Sequence, residues 1–103
     1  MFSLLLSHGL FAVAGMPDQS RQKELRHLLK HDCGSCHGMS LKGGLGPALT
    51  IEALAGKAKS YLLRTILDGR PGTPMPPWKG ILSEAEATWL VGVLIEGKGS
   101  DER

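Results

Sequence analysis

The chain has 103 residues, a formal net charge of +2 and 21% charged residues, which together indicate a single small domain. Its basic residues form no block and no aromatic-rich strand pattern accompanies them, so the composition argues against a nucleic-acid-binding protein. A polybasic segment of the kind that binds membrane surfaces is missing as well. The sequence shows no internal repeat and no alternating strand pattern, and it predicts an all-α fold of about four short helices.

The N-terminal stretch, residues 2–14, is apolar apart from two serines and one histidine, and it ends in Ala12-Val13-Ala14. An apolar run that ends in a small-x-small pattern is typical of an export signal, and this run is too short to span a bilayer. We therefore expect 1–14 to be a signal and 15–103 to be an exported domain without stable membrane insertion. No Lys or Arg precedes the run, so a buried N-terminal helix remains the alternative.

The first helix is predicted over about 19–32. Asp18 or Ser20 is a plausible start, because both side chains can accept hydrogen bonds from the free amides of a first turn. Apolar residues then recur at helical spacing. They are Leu25, Leu28, Leu29 and Cys33.

Two histidines on this predicted helix, His27 and His31, lie four positions apart. Such a pair can contribute to a metal site, but the sequence offers no third ligand near it. We therefore interpret the two side chains as a solvated pair on the polar side of the helix.

The pentapeptide Cys33-Gly34-Ser35-Cys36-His37 follows. Two thiols three positions apart with a histidine directly after them form the attachment pattern of a c-type haem. One turn of helix brings Cys33 and Cys36 to the same side, where each sulfur can form a thioether with one vinyl group. His37 would then be the proximal iron ligand. We predict one covalent haem c; a thioredoxin-like dithiol, which would give a colourless protein, is the alternative.

The next segments combine a glycine-rich loop with two short helices. The loop, residues 38–49, contains four glycines that allow its backbone to approach the macrocycle closely. Thr50 is expected to cap a helix over 51–55. A third helix is expected from Lys57 or Ser60 to Asp68, followed by Gly69 as a left-handed cap. Its inward face is predicted to carry Tyr61, Leu62 and Ile66, with Leu63 as a further candidate.

A proline-rich loop and a final helix complete the chain. Residues 70–80 contain four prolines and two glycines, which exclude a helix or a central strand, yet a methionine and a tryptophan lie among them. Ser83 and Glu86 form a capping box that begins the last helix. Its apolar stripe is predicted to be Trp89, Leu90, Val93 and Leu94. Gly92 is unfavourable inside a helix, and we expect it to let another helix, the first by preference, cross closely.

A low-spin haem needs a second axial ligand. Histidine is an unfavourable candidate, because the other histidines lie in the signal or on the helix leading into the motif. Met1 and Met16 lie in or beside the signal, and Met39 is too close to His37 to reach the opposite face. Met75 follows His37 by 38 residues, and prolines on both sides hold its sulfur at low entropic cost. Ordinary loop packing is the alternative role for Met75.

Taken together, these motifs resemble the small class I monohaem cytochromes c, from about Leu25 to Ile95. Within that family, the chain more closely resembles the small cytochromes that are encoded beside the nitrite reductase that carries haem c and haem d-one in denitrifying bacteria. The matching stretches are Cys33–His37, Gly44–Leu49, Asp68–Arg70 and Met75–Trp78, and the narrower match rests on Cys36–Leu49 and Met75–Gly80.

The resemblance implies a class I cytochrome c fold around one haem and a monomeric, periplasmic one-electron carrier, not an enzyme. Its partners would be a quinol-side donor and the nitrite reductase. The resemblance also implies that the Pro47 carbonyl accepts a hydrogen bond from His37, that Met75 ligates the iron, and that Trp78 packs at the haem edge. Arg70 or Lys79 could meet a propionate, although solvated loop charges are the preferred interpretation of both.

Other functions remain open at this point. The cytochrome could supply electrons for haem d-one maturation, or it could be a haem enzyme or gas sensor with an open axial position, which requires Met75 to be off the iron. Near-neutral charge favours docking through an apolar patch near the haem edge, and we expect Leu41, Leu45 and Pro76 to contribute to it.

Overall fold

A computed structural model of the chain describes residues 15–99, so the predicted signal lies outside the described residues. Within that range the chain forms helices and loops without a strand, which confirms the predicted all-α architecture. None of the described helices is long and apolar enough to cross a membrane. The helices are α1 (Gln19–Leu28), α2 (Gly34–His37), α3 (Ile51–Leu54), α4 (Lys59–Asp68) and α5 (Glu84–Ile95), with a π-helical stretch, Leu29–Cys33, between α1 and α2.

The helix predicted to end near residue 32 continues to His37. Asp18 caps its start by accepting a hydrogen bond from the Arg21 amide at 2.8 Å. From Leu29 the winding widens, and the Gly34 amide donates to the Leu29 carbonyl, five residues back. Such π-turns are rare and frequently occur at functional sites. The helix therefore carries the whole pentapeptide instead of ending before it, and it stops at Gly38, whose φ is +97°.

The hydrophobic core is formed by residues of α1, the π-helical stretch, α3 and α5 together with loop residues, and α4 packs against it. Leu25 of α1, Leu29 of the π-helical stretch and Leu90 of α5 are its most deeply buried large side chains, and each contributes about 1.5–3 kcal/mol by leaving water. This confirms the inward stripes predicted for both helices. The buried residues of the cluster are Leu25, Leu29, Leu41, Leu54, Leu82, Leu90, Val93 and Leu94.

The inward face of α4 differs from the prediction at one position. Leu62 and Ile66 pack against the core, but Tyr61 is 47% exposed, and Leu67 is buried in its place. Tyr61 lies one position off the Leu62–Ile66 stripe, so its ring turns toward solvent. Its hydroxyl accepts a hydrogen bond from the Arg70 guanidinium at 3.2 Å, which gives the polar end of the ring a partner.

Two cap assignments have different outcomes. Thr50 caps α3 as predicted, accepting from the Ala53 amide at 3.3 Å. Gly69 ends α4 with the expected positive φ of +70°, but its ψ of −171° lies outside the left-handed helical region. That combination is accessible essentially to glycine alone. Gly69 is therefore not the left-handed cap that was predicted, and it turns the chain in a different direction.

The role predicted for Gly92 is wrong. Apart from the backbone of its own helix, no atom of the described residues lies within 4 Å of a Cβ atom built on Gly92, so no other described helix crosses closely there. Gly92 instead lines an open groove along α5, together with Met16, Thr88, Trp89 and others. Long side chains contribute to the contact between α1 and α5. The Arg26 guanidinium lies 5.4 Å from the centroid of the Trp89 ring.

An ion pair also joins α1 to the start of α5. Arg21 Nε donates to Glu86 Oε2 at 2.7 Å. Glu86 is at the same time part of the predicted capping box, which is present: its amide donates to Ser83 Oγ and its carboxylate accepts from the Ser83 amide. The hydrogen bond from Arg21, reinforced by the Ser83 amide, holds the pKa of Glu86 below its usual range.

We expect Glu86→Gln to lower the free energy of unfolding of the holoprotein at neutral pH, on the order of 1 kcal/mol, because it weakens both the cap and a solvent-screened ion pair. Since the pKa of Glu86 is lowered in the folded state, this stabilisation is present above the unfolded carboxyl pKa of about 4.3. It is lost as the pH falls through the lowered folded value, so the difference between the variant and the parent should shrink in acid.

Urea unfolding at neutral and acidic pH measures this difference. Glu24→Gln is the control, because Glu24 also pairs with Arg21, at 3.0 Å, but lies on the same helix and caps nothing. Equal losses in the two variants at neutral pH would contradict the role assigned to Glu86.

Candidate functional site

The two cysteines lie one helical turn apart and differ in exposure. Cys33 is half-buried against the core, Cys36 is exposed, and both are free thiols. Burial raises the pKa of the Cys33 thiol to about 11, with smaller contributions from the Asp32 and Cys36 charges. A redox-active dithiol depends on a lowered thiol pKa, because the thiolate is the reactive form. The environment of Cys33 therefore disfavours the dithiol alternative.

The imidazole of His37 is held by one short contact. Its Nδ1 atom lies 2.6 Å from the carbonyl oxygen of Pro47. A carbonyl oxygen can only accept a hydrogen bond, so Nδ1 is the donor, and in the neutral tautomer that this contact selects the lone pair is on Nε2. This is the contact that the family resemblance implied, and it is the usual outer partner of a metal-bound histidine. The ring is thus oriented through Nδ1, which leaves Nε2 as the nitrogen that can serve as a ligand.

The glycine-rich loop lies directly against the pentapeptide. The Gly46 amide donates to the Cys36 carbonyl at 2.7 Å, and the Gly43 amide donates to the His37 carbonyl at 2.8 Å. A Cβ atom at Gly46 would lie 2.9 Å from both Cε1 and Nδ1 of His37, closer than real side chains approach. Any side chain at Gly46 would therefore displace either the loop or the ring, which explains the glycine at this position.

The prediction for one residue of the docking patch, Leu41, is wrong. Leu41 is only 3% exposed and belongs to the core cluster, although its φ of +62° is unusual for a leucine. Its carbonyl accepts from the Leu49 amide at 2.8 Å, which closes the loop and turns the side chain inward. Leu41 is thus a core residue and is removed from the patch. Leu45 is 93% exposed, and Pro76 is exposed as well.

The loop that carries Met75 is attached to the end of α4 by backbone hydrogen bonds. The Trp78 amide donates to the Ile66 carbonyl at 3.0 Å, and the Lys79 amide donates to the Leu67 carbonyl at 3.1 Å. Within the loop, the Met75 carbonyl accepts from the Arg70 amide at 3.2 Å. The Met75 side chain is half-buried. Trp78 is also half-buried and packs against the core cluster. The loop is therefore a fixed part of the fold.

The residues considered for propionate contacts and for a second metal site lie on the protein surface. The Arg70 guanidinium is exposed and hydrogen-bonded to Tyr61, and Lys79 is exposed. The rings of His27 and His31 lie 4.2 Å apart, centroid to centroid. Residues 15–99 contain no group of three or more His, Cys, Asp and Glu side chains that could chelate a metal ion. Both histidines are exposed, which agrees with their interpretation as a solvated pair.

The residues present suit a covalently bound haem. Two unpaired thiols lie one turn apart on a helix, an imidazole with a free Nε2 follows them directly, and glycine backbone closes over that imidazole. These are the donors that c-type haem attachment and ligation require. Sequence reasoning missed Thr73, whose hydroxyl accepts from the Met75 amide at 3.3 Å; only its place in the predicted proline-rich loop could have pointed to it.

Comparison with known proteins agrees with this chemistry. A family model described as cytochrome c oxidase, cbb3-type, subunit III matches residues 20–92. Cytochrome c55X of Pseudomonas aeruginosa is 66% identical over 82 residues, which cover 80% of this chain and 69% of that protein. Cytochrome c55X of Stutzerimonas stutzeri is 55% identical over 86 residues, covering 84% of this chain and 76% of the relative.

Solved structures extend the comparison to the fold. A c-type cytochrome, NirC, superposes with a TM-score of 0.79 at 64% identity, covering 81% of this chain and 98% of that one. A dihydro-haem d1 dehydrogenase, NirN, solved in complex with DHE, superposes with a TM-score of 0.63 at 38% identity. That match covers 67% of this chain but only 15% of the dehydrogenase. By sequence, fold and relatives, the chain belongs to the cytochrome c55X family of class I c-type cytochromes, electron carriers of the nitrite reductase system.

Proposed function

We propose that this chain is a periplasmic, monomeric one-electron carrier that holds a single haem c through thioethers to Cys33 and Cys36, with His37 and Met75 as axial ligands. Residues 1–14 would be the export signal that places it there. When bound, the haem supplies the redox centre. The observation that carries the proposal is the 2.6 Å contact between His37 Nδ1 and the Pro47 carbonyl.

That contact supports the ligand role because of what it does to the imidazole. A hydrogen bond to the outer nitrogen fixes the tautomer and the ring orientation, and it makes Nε2 a stronger base. The loop backbone also runs close to the same ring, since a Cβ atom at Gly46 would lie 2.9 Å from its Cε1 and Nδ1 atoms. A histidine that served only as a surface residue would need neither restraint.

Met75 is the methionine whose surroundings suit a second ligand. It lies on a loop that is hydrogen-bonded to α4 and stiffened by prolines, so little further entropy is lost when its thioether is fixed. Met39 lies beside the attachment helix instead: its Sδ is 3.5 Å from a Cβ atom built on Gly34, and the side chain is 55% exposed. A thioether opposite an imidazole favours ferrous iron and raises the reduction potential.

Filled axial positions decide between a carrier and a haem enzyme. With His37 and Met75 both engaged, no position is open to a substrate or a gas, so the residues support electron transfer through an exposed edge. The rival haem enzyme or gas sensor requires Met75 to be off the iron. The attachment of its loop to Ile66 and to Arg70 favours a held methionine over a mobile one.

The nitrite reductase is the acceptor that the family supports, and a quinol-side protein is the proposed donor. A second partner has support of its own, because a dihydro-haem d1 dehydrogenase contains a related segment that spans 19% of its length. A dehydrogenase must pass on the electrons that it removes. We therefore propose, as the second candidate, that this cytochrome exchanges electrons with an enzyme of haem d-one maturation.

Docking is proposed to use the exposed loop beside the pentapeptide. Leu45 projects almost fully into solvent at the tip of the glycine loop, whose neighbouring amide at Gly46 is bonded to Cys36. Pro76, next to Met75, is the second candidate. The net charge of the chain is small, so electrostatic steering and the salt dependence of association should both be modest.

The first test concerns the iron ligand. We expect Met75→Ala to keep the covalent haem, lose the methionine–iron absorption band of the ferric protein, lower the reduction potential and bind carbon monoxide. Met39→Leu, the matched control, should behave like the parent. Loss of the band in Met39→Leu with retention in Met75→Ala would mean that the other sulfur is the ligand. A high-spin ferric spectrum in the unaltered protein would favour the haem enzyme or gas sensor.

The second test concerns the partner and its docking surface. Stopped-flow mixing of the reduced cytochrome with oxidised nitrite reductase should show faster transfer than mixing with an unrelated periplasmic acceptor. We expect Leu45→Ser to slow transfer on the order of tenfold, as loss of a central apolar contact does. Met16→Ser, at a 60% exposed methionine beside α5, should leave the rate unchanged.

Two results would count against the docking model. Equal rates with the unrelated acceptor would remove the nitrite reductase from the proposal. A rate that falls steeply between low and moderate salt would show that charges, and not the apolar loop tip, dominate the encounter.

A further inference from the structure

We propose that Gly69 and Thr73 are positioning residues that determine where the thioether of Met75 lies. Neither residue would touch the iron; both act on the backbone around Met75. The inference deepens the proposed function and rests on Met75 being the axial ligand.

Gly69 brings the end of α4 into direct contact with the methionine loop. Its Cβ position, if filled, would lie 2.7 Å from each of three backbone atoms: the Met75 oxygen, the Pro76 carbonyl carbon and the Pro77 nitrogen. These atoms belong to the main chain of a proline-rich segment and cannot move aside as a flexible side chain could. Gly69 is itself buried and has φ +70° and ψ −171°. Both its conformation and its surroundings therefore require glycine.

Thr73 connects the two arms of the same loop. Its hydroxyl donates to the Arg70 carbonyl at 2.7 Å and accepts from the Met75 amide at 3.3 Å. The Arg70 amide in turn donates to the Met75 carbonyl at 3.2 Å. The peptide groups on both sides of the Met75 Cα are thus bonded within the loop, one to the Thr73 side chain and one to Arg70.

This arrangement matters because methionine is a flexible, unbranched side chain and its thioether is a weak donor. The backbone must place Cα so that the sulfur reaches the iron in a favourable rotamer. If the loop shifts, the ligated state becomes less populated, and an added ligand competes more effectively for the axial position. The prolines limit the loop's freedom, while Gly69 and Thr73 determine where the loop is fixed.

The test uses the ferric holoprotein and imidazole as the competing ligand. We expect Gly69→Ala to weaken the methionine–iron band and to raise the affinity for imidazole on the order of tenfold. Gly56→Ala is the matched control: its φ is +81°, so alanine is strained there too, but no atom of the described residues lies within 4 Å of its Cβ position. Gly56→Ala should lose stability and keep the band.

Thr73→Val gives an independent measurement that introduces no clash and decides the question if Gly69→Ala fails to fold. It removes both hydroxyl bonds at nearly constant volume, and we expect a rise in imidazole affinity in the same direction, restored by Thr73→Ser. A band and an affinity equal to those of the parent in Thr73→Val, or in a folded Gly69→Ala, would overturn the inference. So would equal loss of the band in Gly56→Ala, because general destabilisation would then explain it.

Failure of the underlying ligand assignment gives a different pattern. If Met75→Ala itself kept the band, Met75 would not be the ligand, and the proposed ligation would fail together with the inference. If Met75→Ala lost the band while the Gly69 and Thr73 variants matched the parent, only the positioning role would be wrong.

Discussion

The hydrogen bond from His37 to the Pro47 carbonyl is the constraint on which the rest of this site depends. To bring that carbonyl within 2.6 Å of Nδ1, the chain must leave the helix at Gly38 and fold back along it. The amides of Gly43 and Gly46 hold the returning loop by bonding to helix carbonyls. The loop in turn carries Leu41 into the core, so the orientation of one imidazole is tied to the packing of the whole domain.

The two sides of the proposed iron site are restrained in different ways. On the proximal side, one continuous helix presents both thiols and His37, and thioether bonds would make that arrangement permanent. The distal side has no covalent anchor: Met75 lies on a loop fixed by hydrogen bonds and by its close approach to Gly69. In this protein, the reduction potential and ligand access are therefore expected to be most sensitive to changes in the distal loop.

Local rules predicted much of this protein. The pentapeptide spacing, the inward stripes of α1 and α5 and the caps at Asp18, Thr50 and Ser83 depend on neighbouring residues alone, and the structure has all of them. Two of the failures depend on distant contacts. The burial of Leu41 follows from the return of the glycine loop, and at Gly92 no other described helix approaches closely enough to require a glycine. The sequence shows neither, because spacing along the chain does not report tertiary distance.

The central claim is that His37 and Met75 hold the iron of one low-spin haem. Proton NMR of the ferrous protein labelled with ¹³C at its methionine methyl groups tests it most directly, because the ring current of the haem strongly shifts a methyl group bound at its face. We expect one methyl resonance far upfield of the others, absent from Met75→Ala and present in Met39→Leu. Methionine methyl resonances that all fall in the ordinary range would contradict the claim.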